Sequence, residues 1–111
     1  METMDYWPDV LQVLPTVDYK VYIYFDDGTI RLYDATEQLK VGRFKQLLVD
    51  DMFMTACTVI NNTLAWTLDF SYTDKGDNVL DLDPIQLYNT CPIVDEPLHL
   101  FNLNEDESDR A

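Results

Sequence analysis

Positive charge is scarce in this sequence: 7 of its 111 residues are Lys or Arg, against 21 Asp or Glu, and the formal net charge is -14. So few cations on so acidic a body neutralise few phosphates, which argues against direct nucleic-acid binding and against attachment to an anionic membrane. Long apolar runs are missing too; they stop after a few residues, far short of the ~20 needed to cross a bilayer. With 3 glycines there is no glycine-rich phosphate loop. A single histidine and 2 cysteines, without a Cys-x-x-Cys spacing, give no zinc signature. The acidic stretch through Pro8 has no apolar core of the kind a secretory signal needs. The economical expectation is therefore a cytoplasmic protein in which Cys57 and Cys91 are reduced thiols, and not a disulfide.

What remains is ample for folding. Hydrophobic residues make up 47% of the chain and aromatics 13%, which is too rich for a disordered sequence and enough for one domain with its own core. The expected extent of that domain is residues 1–92. Residues 93–111 carry six of the acids and one base and read as an acidic extension, its end from 104 onward disordered. Before that end, residues 97–103 alternate apolar with polar, as a short edge strand or a docking segment does. Lys40, Arg43 and Lys45 gather cations within one short stretch, more economically a solvated helix end than a contact patch.

Residues 10–14 and 17–25 are β-branched and aromatic, and in the second run Val17, Tyr19, Val21, Ile23 and Phe25 alternate with polar or tyrosine positions. That pattern predicts a strand with one buried face, separated from the first by Pro15. Asp26-Asp27-Gly28-Thr29 predicts a tight hairpin into a strand over residues 30–34. A short helix with Gly42 as an interruption is expected between residues 35 and 48, where Phe44, Leu47 and Leu48 recur at offsets of three and four. Residues 52–60 then read as a strand, Asn61-Asn62 as a turn, residues 63–68 as its return, and residues 79–82 as a last short strand. Asp83-Pro84 has the chemistry of a helix cap followed by a first helical proline. The predicted class is α+β: mostly one antiparallel sheet of about five to six strands, with one or two short helices.

Phe25-Asp26-Asp27-Gly28, then Asp34, Gly42-Arg43-Phe44, Leu47, Phe53, Trp66 and finally Asp81-Leu82-Asp83-Pro84 with Leu87-Tyr88 form an ordered set. In order and approximate spacing that set resembles the small bacterial family called domain of unknown function 2442, over about residues 10 to 90. The stretch between Trp66 and Asp81 is longer here than in compact members. The family has no established activity. Its members are similar to stand-alone modules, some encoded beside another small protein in the manner of toxin–antitoxin pairs, so the resemblance implies a partner-binding class.

The carboxylate groups Asp26/Asp27/Asp34, Asp50/Asp51 and Asp74/Asp77/Asp81/Asp83 each have a structural reading as turn, strand end, loop or cap. Gly76 follows Asp74 too early for an EF-hand, and Ile85 stands where its closing Glu belongs. Cys57 has no neighbouring base, so nucleophilic catalysis is not expected, and neither is a cofactor or metal. If Tyr19, Val21 and Ile23 face the core, Tyr22 and Tyr24 face away together. They would make either an interaction surface rimmed by Asp18, Asp26 and Asp27, or a face covered by a second helix. The resulting reading is a small, acidic, non-enzymatic protein-interaction module, antitoxin-like, with a basic protein partner and Tyr22, Tyr24, Asp26 and Asp27 as the binding residues. The alternative is an inhibitor that mimics nucleic acid on a nucleic-acid enzyme. A metal-dependent enzyme ranks third.

Overall fold

The computed structural model describes residues 7–97, and the acidic end and the alternating segment from residue 98 onward lie outside them. The fold is α+β. Among the described residues six strands form two antiparallel sheets of three, where the sequence predicts one sheet. The first sheet takes β1 (Val10–Pro15), β2 (Lys20–Phe25) and β3 (Ile30–Asp34) in that order. The second takes β4 (Cys57–Ile60), β5 (Thr63–Thr67) and β6 (Val79–Asp81). The β1–β2 ladder breaks at a bulge between Val10 and Gln12, where Leu11 is exposed. β1 lies close to β4 without pairing with it, and the Val10 N–H donates to the Asn62 carbonyl in the β4–β5 turn at 2.9 Å.

Local chemistry sets the strand ends. Gly28 turns the β2–β3 hairpin at φ +89, and Asp27 Oδ1 accepts from the backbone N–H and the hydroxyl of Thr29 at 2.9 and 2.7 Å. Asn61 and Asn62, at φ 54 and 65, give the two left-handed residues that a type I′ hairpin requires between β4 and β5. The second strand starts later than its alternation suggests. Tyr19 is left-handed at φ 65, and Thr16 accepts from the Lys20 N–H through its hydroxyl at 3.1 Å, so residues 16–19 form the turn into β2.

Two further expectations give way. Residues 35–48 make two 3₁₀ pieces, Gln38–Lys40 and Gly42–Leu48, and not one α-helix. A three-residue period puts Phe44 and Leu47 on one side, burying Leu47 and leaving Leu48 outside. The run from Met52 begins as one helical turn, α1 (Met52–Thr55), because Asp50 and Asp51 are left-handed and reverse the chain; the strand starts only at Cys57. After β6, Asp83 Oδ1 caps α2 (Pro84–Thr90) by accepting from Ile85 N–H at 2.9 Å.

One core joins these parts. Val21, Ile23 and Phe25 from β2 meet Leu39, Leu47, Phe53 and Leu87 from the helical pieces and Leu64 and Trp66 from β5. The Trp66 ring packs 5.6 Å from Phe53 and edge-on to Phe44, and its indole N–H donates to the Phe53 carbonyl at 3.0 Å. Gln38–Lys40, Gly42–Leu48, α1 and α2 thus each place a buried residue in the core on the Val21 side of the first sheet.

Candidate interaction face

Strand alternation sends Tyr22 and Tyr24 to the side of β2 opposite Val21, Ile23 and Phe25. Register then fills out that side. Tyr22 stands between Leu14 on β1 and Leu32 on β3, and Tyr24 between Gln12 and Ile30. Leu14, Tyr22, Tyr24, Ile30 and Leu32 are all half-buried. The edge of β3 gains one more row: Leu32 N–H donates to the Pro92 carbonyl at 3.0 Å, Val94 N–H donates to the Ile30 carbonyl at 2.8 Å, and Arg31 pairs with Ile93. Val94 therefore lies beside Ile30 on the tyrosine side. The Tyr24 hydroxyl donates to the Glu96 carboxylate. Burial, then that carboxylate, pushes the Tyr24 hydroxyl well above the ordinary phenol range.

Carboxylates stand at both ends of this face. Asp26 and Asp27 occupy the hairpin end; Asp18 and Asp34 occupy the other, beside Lys20. Most are held in place. The Asp18 carboxylate accepts from Thr16 and pairs with Lys20 at 3.3 Å, and those bonds hold its carboxyl below the usual range. Thr36 does the same for Asp34 through its hydroxyl at 2.6 Å and its backbone N–H at 3.0 Å. Asp27 turns away toward α2. Burial disfavours its charge, but hydrogen bonds from Tyr88 and Thr29 and the nearby Arg31 outweigh that and hold the carboxyl below the usual range.

The sequence-predicted set is thus brought together in part. Tyr22 and Tyr24 share one face; Asp26 and Asp27 share its end, with Asp27 engaged in tying the hairpin to α2. Sequence reasoning does not single out Leu14, Ile30, Leu32 or Val94. Alternation within residues 30–34 carries a signal for two of them once the hairpin register is known, whereas the pairing of residues 92–94 on β3 is long-range and has none.

Other concavities are poorer. The cleft between Tyr33, Gln38, Leu82 and Gln86 has a volume of about 160 Å³, below the several hundred typical of a small-molecule site. An open depression of about 430 Å³ lies at the end of β3 between Lys20, Leu32, Asp34, Cys91 and Pro92, continuing the tyrosine face around the strand edge. Burial pushes the Cys57 thiol up to about 12 and raises Cys91, so neither is poised as a nucleophile, and both are free thiols. Among the described residues no group of three His, Cys, Asp or Glu side chains converges as metal ligands. No helix among them is long and apolar enough to cross a membrane. No family model, curated protein or solved structure matches the chain.

Proposed function

We propose that this chain is a small, acidic, non-enzymatic protein-interaction module, antitoxin-like in kind, working in the bacterial cytoplasm on a basic protein partner. The observation that carries the reading is the side of the first sheet turned away from the shared core. Tyr22 and Tyr24 stand there among Leu14, Ile30 and Leu32, with carboxylates at both strand ends. An apolar, aromatic centre with a charged rim is the usual anatomy of an interface, and tyrosine is a preferred anchor because it buries much area at little conformational cost. The acidic rim on a -14 body attracts a cationic partner and speeds its encounter. The resemblance to domain of unknown function 2442 supports the same class.

The test is capture from native lysate on the tagged full chain, eluted in rising salt, beside a Tyr22→Ser/Tyr24→Ser variant shown to be folded. One basic protein held in stoichiometric amount by the natural chain and lost from the variant is the expected result. The same set of proteins on both baits contradicts it. The alternative, mimicry of nucleic acid, is favoured by one observation: hydrogen bonds fix Asp18, Asp27 and Asp34 in place, as stand-ins for phosphates must be. If the captured partner is a nucleic-acid enzyme that DNA or RNA displaces, that second reading takes over.

A further inference from the structure

The cleft beside Tyr33 is small for a free ligand, but its size suits the end of one long side chain. Its walls are Tyr33 of β3, Gln38 of the first 3₁₀ piece, Leu82 and Asp83 after β6, and Gln86 and Leu87 of α2. A cavity of about 150 Å³ takes one benzene-sized group, and a guanidinium with its last two methylenes is of that size; this cleft holds about 160 Å³. Leu87 belongs to the core and Leu82 packs against it, which gives the cleft its apolar part. The polar part has hydrogen-bonding capacity that the fold does not use. Among the described residues the Gln38 and Gln86 amides and the Tyr33 hydroxyl make no hydrogen bond, and Asp83 is engaged through Oδ1 alone, by the Ile85 N–H at 2.9 Å. Burial, with Cys91 and Asp34 adding to it, pushes the Tyr33 hydroxyl up to about 12, so it stays a neutral phenol. No Lys, Arg or His lines the cleft.

We propose that this cleft receives one arginine side chain of a basic protein partner, its methylenes against Leu82 and Leu87 and its guanidinium among the oxygens of Asp83, Gln38, Gln86 and Tyr33. Charge selects the class. A carboxylate and several neutral acceptors on a -14 body attract a cation and repel an anion. Shape selects the residue. A guanidinium is a flat fork of five N–H donors and is weakly hydrated, so it suits a partly apolar cleft whose acceptors are spread around it; a lysine would bring a strongly hydrated point charge. The cleft also has an approach. Tyr33 and Thr90 line both it and the open depression at the end of β3, and that depression includes Leu32 of the tyrosine face. Lys20, the one cation lining the depression, is paired with Asp18 at 3.3 Å. The proposal rests on the interaction reading only for the bearer of the arginine. The cleft is tested without a partner, so the two fail separately.

The test is a titration of the full chain with Nα-acetylarginine amide, followed through the side-chain amide signals in NMR. Gln38 and Gln86 should shift saturably, with a dissociation constant of about 1 mM for a ligand of this size, while exposed Gln46 on the second 3₁₀ piece stays in place. The citrulline compound, which keeps the shape without the charge, and the lysine compound should each bind about ten-fold more weakly. Gln86→Lys puts a cation into the cleft from an exposed helix position and should also weaken arginine about ten-fold, with the backbone amide spectrum otherwise kept. Gln38→Ala/Gln86→Ala, which only removes acceptors, is the second variant and should weaken it several-fold. Equal affinity for the citrulline or lysine compound, unchanged affinity in both variants, or shifts that spread over the carboxylates without saturating overturns the proposal. Tighter binding of free L-arginine than of the capped form assigns the cleft to a small molecule and overturns a partner's side chain as its occupant.

Discussion

Tyr88 donates its hydroxyl to Asp27 Oδ2 at 2.7 Å, closing a contact between residues 61 apart in sequence and fastening α2 to the β2–β3 hairpin. The Arg31 guanidinium lies 3.9 Å from the Tyr88 ring centroid and donates to the Tyr88 carbonyl at 2.9 Å, while Phe25 meets the same ring edge-on. The hairpin end of the tyrosine face therefore has a rigid backing.

Tyr88→Phe should loosen that end at neutral pH. The Asp27 carboxyl is depressed in the folded state, so its contribution is fully present above the unfolded carboxyl value and is lost as pH falls through the folded one. The gap in urea midpoint between the natural chain and the variant should thus close from about pH 4 downward. A gap that stays constant to low pH contradicts the pairing.

The aromatic centre of the core offers a larger effect. Phe53 is 1% exposed and packs on Trp66 and, edge-on, on Tyr19. Phe53→Ala should cost about 3–5 kcal/mol in urea unfolding. Trp66→Phe keeps most of the packing but strands the Phe53 carbonyl that its indole N–H satisfies, a loss of about 1–3 kcal/mol. Equal stability of Trp66→Phe and the natural chain would show that this hydrogen bond contributes nothing to the fold.

Asn78 organises the long loop before β6. Its buried amide donates to the Asp69 carboxylate at 3.0 Å, to Ser71 Oγ at 3.2 Å and to the Thr73 carbonyl at 2.8 Å, and its oxygen accepts from Lys75 N–H at 2.8 Å. These bonds hold Phe70 and Tyr72 in left-handed conformations that bulky residues avoid. Asn78→Ala should cost about 1–3 kcal/mol and open residues 69–78 to limited proteolysis. An uncut loop in the variant would show that other bonds suffice.

The thiols give a simpler check. With Cys57 pushed up to about 12 and Cys91 raised, both by burial, little thiolate exists at mildly alkaline pH. Disulfide reagents should modify both slowly in the native chain and at once in urea. Fast native labelling of Cys57 would contradict its burial.

Legibility in the sequence follows the range of the interactions. The strand over Ile30–Asp34, the Gly28 hairpin, the Asn61-Asn62 turn and the Asp83 cap are each set by two or three neighbouring residues, and they stand where the sequence places them. The buried face of β2 is legible from Val21, Ile23 and Phe25, which puts Tyr22 and Tyr24 on the other side. Sequence and structure part where backbone conformation overrides side-chain pattern. Left-handed Tyr19 delays the start of β2, and left-handed Asp50 and Asp51 turn an apolar run into a helical turn before the strand. The division into two sheets over one shared core is a long-range matter with no local signature. The Arg31–Tyr88–Asp27 contact is equally hidden, because its members belong to elements far apart in the chain.

The most direct test of the interaction reading is photo-crosslinking in cells from a benzophenone amino acid placed at Tyr22, with the same probe at exposed Val41 on a 3₁₀ margin as the control. One basic protein joined to the chain from position 22 and absent from position 41 is the predicted result. Equal products from the two positions, or a partner captured only from position 41, would contradict it.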